Sequence, residues 1–318
     1  MDPSLFILDG GLSTELEASG FQLQGDPLWS ARLLQTNPQA IKDVHYRFLQ
    51  SGSDVITTAT YQASIEGFVK YLGLRPEEAQ QMMMSGVQLA KETVREFMSH
   101  SPESDRKEPL VAGSVGPYGA FLHDGSEYTG AYEEKMTLEE LKDWHRPQIQ
   151  CLVKAGADLV AMETIPGLKE AEALVEVLKE FPETKAWLSF SCKDIHNISS
   201  GRRFSEAVQV ACRSTQLVAV GVNCCPASLV KPLLESAKPH KKAELSWVVY
   251  PNSGERWDPK TGWITEKQTS FAKLSLDWKE QGALWIGWYC IAPVNAMTCS
   301  FLLHTLTKIC VNRWLLPC

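Results

Sequence analysis

Basic residues are not in excess: 31 Lys and Arg face 38 Asp and Glu in a chain of 318 residues, a net charge of −7. A nucleic acid or an anionic membrane as main partner would select for the opposite balance, so a small-molecule ligand is expected. No secretion leader is visible, since Met1-Asp2-Pro3-Ser4 is not a basic stretch opening onto an apolar run. The nine cysteines are an odd number without the spacing of a disulfide framework, which points to a reducing, cytoplasmic setting. Long hydrophobic runs are missing too. The most apolar stretch, around Phe301-Leu302-Leu303 and Trp314-Leu315-Leu316, is interrupted by His304, Lys308 and Arg313 before it could span a bilayer.

Several chemical signatures are absent. The first strand runs into Leu8-Asp9-Gly10-Gly11 rather than G-x-G-x-x-G, which argues against an open dinucleotide-binding sheet. The glycine-rich stretch Gly113 to Gly119 lacks the Gly-Lys-Ser/Thr of a P-loop. H-E-x-x-H, paired C-x-x-C and G-x-S-x-G do not occur, which removes zinc-protease, zinc-finger and α/β-hydrolase readings. No linker, internal repeat or low-complexity block divides the chain. The polar stretch Ser99 to Glu108 reads as a surface excursion.

What is present is an ordinary globular composition, 44% hydrophobic and 22% charged, arranged as a recurring pattern. Short β-rich runs are expected at Phe6 to Asp9, Val55 to Thr58, Leu110 to Val115, Leu159 to Glu163, Ala186 to Ser191, Ala219 to Asn223, Trp247 to Tyr250 and Leu284 to Gly287. Between them, apolar residues recur at spacings of three and four, as in Ala40 to Gln50, Glu77 to Met98 and Leu138 to Ala155. Repeated β-then-α order implies parallel strands joined by crossover helices, and eight such units fit an α/β fold of the (β/α)8 TIM-barrel type.

In such a barrel the chemistry sits where the strands end. The strand ends deliver Asp9-Gly10-Gly11, Thr57 to Tyr61, Gly113 to Gly119, Met162-Glu163-Thr164, Gly221 to Cys225 and Tyr250 to Gly254. An Asp-Gly pair is also a common turn. A Glu closing a buried strand demands a partner or a ligand, because an ionised carboxylate is costly in apolar surroundings. Cys151, Cys192 and Cys212 read as packing residues, whereas Cys224 follows a strand end.

Taken in order, Leu8-Asp9-Gly10-Gly11, Thr57-Thr58-Ala59-Thr60-Tyr61-Gln62-Ala63, Gly113 to Gly119, Met162-Glu163-Thr164, Gly221-Val222-Asn223-Cys224 and Tyr250 to Gly254 make residues 4 to 287 resemble the homocysteine S-methyltransferase family, close to its S-methylmethionine-dependent members. The resemblance implies methyl transfer from a sulfonium donor, S-methylmethionine or S-adenosylmethionine, to the Zn2+-activated thiol of L-homocysteine, giving methionine. It implies that Asp9 and Glu163 hold homocysteine with help from backbone N–H groups near Gly10 and Gly11. It makes Cys224 a zinc ligand, and Cys224 and Glu163 the catalytic pair. Tyr61, Tyr118 and Trp257 are candidates to face the sulfonium by cation–π attraction.

The family pattern departs at the eighth strand, where a Gly-Gly-Cys-Cys motif is expected and the chain reads Gly287-Trp288-Tyr289-Cys290. Cys290 takes the last motif position, and Tyr289 stands where another thiolate belongs. The last 31 residues hold four of the nine cysteines and only two charged residues, Lys308 and Arg313. We therefore read residues 1–287 as a homocysteine-binding barrel whose eighth unit is incomplete or altered, and 288–318 as an atypical tail from an altered reading frame or exon end. Two alternatives stand beside the active methyltransferase: a weak or inactive variant that only binds substrate or a partner, and a different metal-dependent barrel enzyme.

Overall fold

The computed structural model describes residues 5–100, 106–252, 255–258, 262–265 and 271–287. Its strands are β1 (Phe6–Ile7), β2 (Val55–Thr57), β3 (Leu110–Val115), β4 (Leu159–Ile165), β5 (Ala186–Phe190), β6 (Leu217–Pro226), β7 (Ser246–Asn252), β8 (Glu255–Asp258), β9 (Gly262–Thr265) and β10 (Ala283–Ile286). Eight of them form one parallel sheet in the order β1-β10-β7-β6-β5-β4-β3-β2. β1 and β2, the ends of that order, meet through a single bridge between Leu8 and Val55 rather than a ladder. The result is a (β/α)8 barrel with one weak seam, as the β-then-α pattern predicts. Asp54 stitches the seam from below, its Oδ2 accepting from the Ile7 N–H at 2.9 Å and its own N–H donating to the Ile7 carbonyl at 2.7 Å.

Strand alternation sorts the side chains into two cores. In β4, Val160 and Met162 point outward into the large layer between strands and helices, while Leu159 and Ala161 join Trp187, Ala219, Val248, Tyr250 and Trp285 in the barrel interior. Both strand faces are buried, so the strands read as nearly continuous apolar runs. The helices bury one stripe each. Helix Pro38–Gln50 starts on Asn37, whose side chain accepts from the Ala40 N–H, carries Pro at its first position, and buries Ile41, Val44, Phe48 and Leu49.

The eight expected strands are all present, with β6 extending three residues past Asn223. Elements too short to show a period escaped the sequence reading: helices Leu12–Ala18, Ile65–Leu72 and Tyr118–Leu122, and the antiparallel pair β8/β9. Half of the Ser99 to Glu108 excursion, residues 101–105, lies outside the described residues. Its end is pinned by Arg106, which donates to the carbonyls of Leu49 (2.7 Å) and Ser53. Residues 288–318, on which the expectations of an altered end to the eighth unit, an atypical tail and a ligand at Cys290 fall, lie outside the described residues. No helix among the described residues is long and apolar enough to cross a membrane.

Candidate active site

A cavity of roughly 490 Å³ opens at the carboxyl ends of the barrel strands. Leu8, Trp187 and Tyr250 belong to the barrel core and also line it, so the cavity continues upward from the packed interior. Its polar lining is one-sided. Asp9, Glu17, Asp124, Glu127 and Glu163 contribute five carboxyl groups, while no Lys or Arg lines it among the described residues.

Asp9 follows β1 and is held by one neighbour on β2. Its Oδ2 accepts from the Thr57 backbone N–H and its Oδ1 from the Thr57 hydroxyl, both at 2.7 Å. Burial raises its carboxyl from 3.8 to about 7 despite the Thr57 bonds, with the nearby Glu163 charge adding to the rise. Gly10 also lines the cavity, whereas Gly11 is the residue that starts helix Leu12–Ala18.

Glu163 is the next inward residue of β4 after Leu159 and Ala161, so the pleat alone carries it into the barrel mouth. Ser114 on β3 donates to its Oε1, and the Tyr250 hydroxyl bonds it as well. Tyr250 is in turn held by the Trp187 indole N–H at 3.0 Å and by Ser189 Oγ at 2.6 Å. Burial outweighs these bonds and lifts the Glu163 carboxyl to about 7.

Cys224 reaches the cavity by a different route. In β6, Ala219 faces inward and Val220 and Val222 outward, so simple alternation would turn Cys224 outward and Cys225 inward. The structure shows the reverse. Cys224 adopts a left-handed backbone (φ 48°), the β6/β7 register slips between Asn223 and Pro226, Cys224 lines the cavity and Cys225 packs in the outer core. Thr164 on β4, one strand beyond β5, is left-handed too (φ 62°), a strained conformation for a β-branched residue.

Asn223 joins the two kinks. Its Oδ1 accepts from the Thr164 N–H at 2.8 Å and its Nδ2 donates to Thr164 Oγ1 at 2.7 Å, while that hydroxyl donates to Cys224 Sγ at 3.7 Å. Burial pushes the Cys224 thiol well above its ordinary range, and Glu163, Cys225 and Glu127 add to the push. The Cys225 thiol, in the apolar core, is pushed up to about 12. A nearby positive charge, from a cationic ligand or a metal, would be needed for Cys224 to ionise near neutrality.

The structure thus brings Asp9, Gly10, Glu163 and Cys224 together around one cavity. It does not bring Tyr118 there: that ring packs on Phe121, Tyr132 and Trp144. Tyr61 lines the cavity as expected, and the Trp257 side chain lies outside the described part. Sequence reasoning missed Thr57, Ser114 and Tyr250 as supports, and Trp29, Trp187, Glu127 and Tyr128 as walls. A signal for Thr57 and Ser114 was available, because both sit at strand ends already placed on the rim.

A metal ion finds one thiolate here, Cys224. Among the described residues no group of three His, Cys, Asp or Glu side chains is placed to hold a metal, and Cys225 is committed to the core. The described donor set therefore does not by itself make a metal site, since even an open catalytic zinc site takes three protein ligands.

The sequence profile described as "Homocysteine S-methyltransferase" matches residues 6–293. A Bacillus subtilis protein named homocysteine S-methyltransferase YbgG is 43% identical over 289 residues, covering 90% of each chain. A Drosophila melanogaster protein named betaine-homocysteine S-methyltransferase is 41% identical over 305 residues, covering 92% of each. The crystal structure of the Escherichia coli homocysteine methyltransferase MmuM in its oxidized form superposes with a TM-score of 0.83 at 34% identity over 97% of both chains. Its metallated form gives 0.82 at 34% identity, over 96% of this chain and 97% of that one. With a profile spanning nearly the whole chain and relatives above 40% identity over nine-tenths of it, the chain belongs to the homocysteine S-methyltransferase family.

Proposed function

We propose that this chain transfers a methyl group from a sulfonium donor, S-methylmethionine or S-adenosylmethionine, to the sulfur of L-homocysteine, forming methionine. One observation carries the reading: a cavity lined by five carboxyl groups and no Lys or Arg among the described residues, with a buried cysteine on its wall. Such a lining suits ligands that bring positive charge, which both an amino acid's ammonium group and a sulfonium do. In the reaction the homocysteine thiol loses its proton, which leaves to solvent as a net product, and the thiolate sulfur attacks the methyl carbon. The bond from that carbon to the donor sulfur breaks, and its electron pair cancels the donor's positive charge. Two opposite charges vanish together, so a site that excludes water favours the step.

Asp9 and Glu163 receive the homocysteine ammonium, each already fixed by hydroxyl or N–H donors on the adjacent strand. Backbone N–H groups near Gly10 and Gly11 help to place the substrate, and the ammonium's charge in turn favours ionised carboxylates. In this reading Zn2+, with Cys224 and Cys290 as protein ligands, supplies activation of the homocysteine thiol when bound. Of these two only Cys224 lies among the described residues, so the roles given to Asp9, Glu163 and the cavity walls are derived without the metal. The partners are small molecules, and a cytoplasmic setting agrees with the cysteine pattern.

A second reading is favoured by Tyr289, which stands where the family pattern has a thiolate: a barrel that binds homocysteine and turns it over weakly or not at all. Residues 288–318 are then an appendage to a binding barrel formed by 1–287. The alternative of an unrelated metal-dependent barrel enzyme falls with the family membership. The test is to purify the chain, measure homocysteine binding by calorimetry, quantify bound zinc by mass spectrometry and assay methionine formation. Binding with turnover supports the proposal. Binding without turnover, with both zinc and turnover gained by a Trp288→Gly/Tyr289→Cys variant, supports the second reading. No homocysteine binding in either protein refutes both.

A further inference from the structure

Glu127 is one of the five cavity carboxyls and is not among the residues that would hold homocysteine. It lies in the 3-10 helix Ser126–Tyr128 that follows helix Tyr118–Leu122, beyond β3, and lines the cavity on the wall shared with Tyr128 and Gly125. Its carboxylate Oε2 is buried with no hydrogen-bond donor, and no Lys, Arg or His pairs with it among the described residues. The side chain is close enough to Cys224 and Tyr128 for its charge to raise both of them. The carboxyl takes one hydrogen bond, from its own backbone N–H, and burial still raises it to about 7. A buried carboxylate oxygen left without a donor or a cation is costly, and it persists only where the surrounding structure enforces it or a ligand completes it.

The backbone at Glu127 is enforced. Ser191, just past β5, donates through its hydroxyl to the Glu127 carbonyl at 3.0 Å, and Ser199 donates to Ser191 at 2.9 Å. On the other side, a Cβ at Gly119 would come within 2.5 Å of the Glu127 nitrogen and 2.8 Å of the Ser126 carbonyl carbon, so the helix backbone is packed directly against this segment. Glu127 is therefore held rigidly against the cavity with an unmet demand for a cationic donor. Asp9, just past β1, and Glu163 on β4 lie close enough for their charges to interact. Glu127 comes from a separate segment, the short 3-10 helix Ser126–Tyr128.

Resting on the methyltransferase reading, we propose that Glu127 receives the α-ammonium group of the methyl donor, and so selects an amino-acid sulfonium over glycine betaine. An ammonium carries N–H groups that satisfy the orphan oxygen, whereas a quaternary ammonium or a bare sulfonium carries none. In S-methylmethionine and S-adenosylmethionine the ammonium sits a short aliphatic stem from the reacting sulfur, consistent with a carboxylate that acts on both the cavity wall and Cys224. The Drosophila relative is named for betaine; the donor chemistry inferred here for this chain is different.

Calorimetry on the full chain tests this without requiring turnover, with S-methylmethionine, methionine, glycine betaine and homocysteine titrated singly. In the unmodified protein, S-methylmethionine is expected to bind at least about tenfold more tightly than glycine betaine, the value of one charge-assisted bond. Glu127→Gln should weaken S-methylmethionine and methionine by about tenfold or more, while homocysteine affinity stays within about twofold. The charge-retaining Glu127→Asp should fall between the two, which guards against misfolding of the amide variant. Betaine binding as tightly as S-methylmethionine, or Glu127→Gln leaving S-methylmethionine unchanged, overturns the assignment. So does a loss of homocysteine affinity as large as that of the donor. If the unmodified protein binds no homocysteine at all, the methyltransferase reading itself fails, a result separate from a failure confined to the donor.

Discussion

Asp9→Asn separates stability from ligand binding, because the cost and the use of that carboxylate fall on different states of the protein. The Asn side chain keeps the local geometry: its oxygen accepts from the Thr57 N–H, and its amide donates to a Thr57 hydroxyl that turns from donor to acceptor. The carboxyl is raised from 3.8 to about 7 in the folded chain, chiefly by burial. Above pH 7 the folded protein must hold an ionised Asp9 that the unfolded chain ionises freely. Below 3.8 both states are protonated and the difference vanishes. The penalty thus grows as pH rises from 3.8 to about 7 and is constant above, reaching about 4 kcal/mol at pH 8 and about 2 kcal/mol at pH 5.

Asp9→Asn should remove that penalty, so the ligand-free variant should be more stable than its parent, and by more at pH 8 than at pH 5, in urea denaturation followed by tryptophan fluorescence. Homocysteine affinity should move the other way, falling at least about tenfold at pH 8 with the loss of a charge-assisted bond. In the parent protein homocysteine binding should tighten as pH rises towards about 7, because the ammonium needs the ionised carboxylate. A variant less stable than the parent at pH 8, or a gain identical at both pH values, would falsify the claim that Asp9 is a desolvated acid held for a cation.

Asn223→Ala removes both bonds to Thr164 and leaves a buried N–H unpaired. Stability should drop by about 2–4 kcal/mol and Cys224 should become more reactive towards a thiol reagent; a loss under about 0.5 kcal/mol would mean the two left-handed residues hold themselves. Cys225→Ala should cost about 1–2 kcal/mol by vacating core volume and leave homocysteine affinity unchanged, whereas an affinity loss would show that the wrong cysteine has been placed in the cavity. Gly287→Ala would set a methyl 2.7 Å from Leu8 Cβ, 3.2 Å from the Asp9 carbonyl and 3.3 Å from Tyr250 Cβ. It should destabilise by about 1–3 kcal/mol and weaken homocysteine binding through Asp9, a coupling that calorimetry at unchanged melting temperature would contradict.

The barrel was legible because it is written in period: apolar runs of strand length alternate with helices whose stripes recur every three and four residues, and nothing else packs eight such units as simply. Glu163 was legible for the same reason, since the pleat that buries Ala161 inside also turns Glu163 into the mouth. Cys224 was legible as a motif position, yet not as geometry. Alternation on β6 assigns it to the wrong side, and only the left-handed backbone at Cys224, tied through Asn223 to a second one at Thr164, exchanges the two adjacent cysteines. Strain of that kind is shared by two strands, β4 and β6, that are not even paired, and leaves no trace in either strand's own pattern. Glu127 stayed invisible for a related reason. Its three-residue 3-10 helix is too short to show a period, and what singles it out is a buried oxygen without a donor, which only the folded surroundings reveal. Periodicity reports where a chain must bury carbon. Unmet polar demand, which marks the places where a ligand completes the fold, appears only when the partners that fail to meet it can be named.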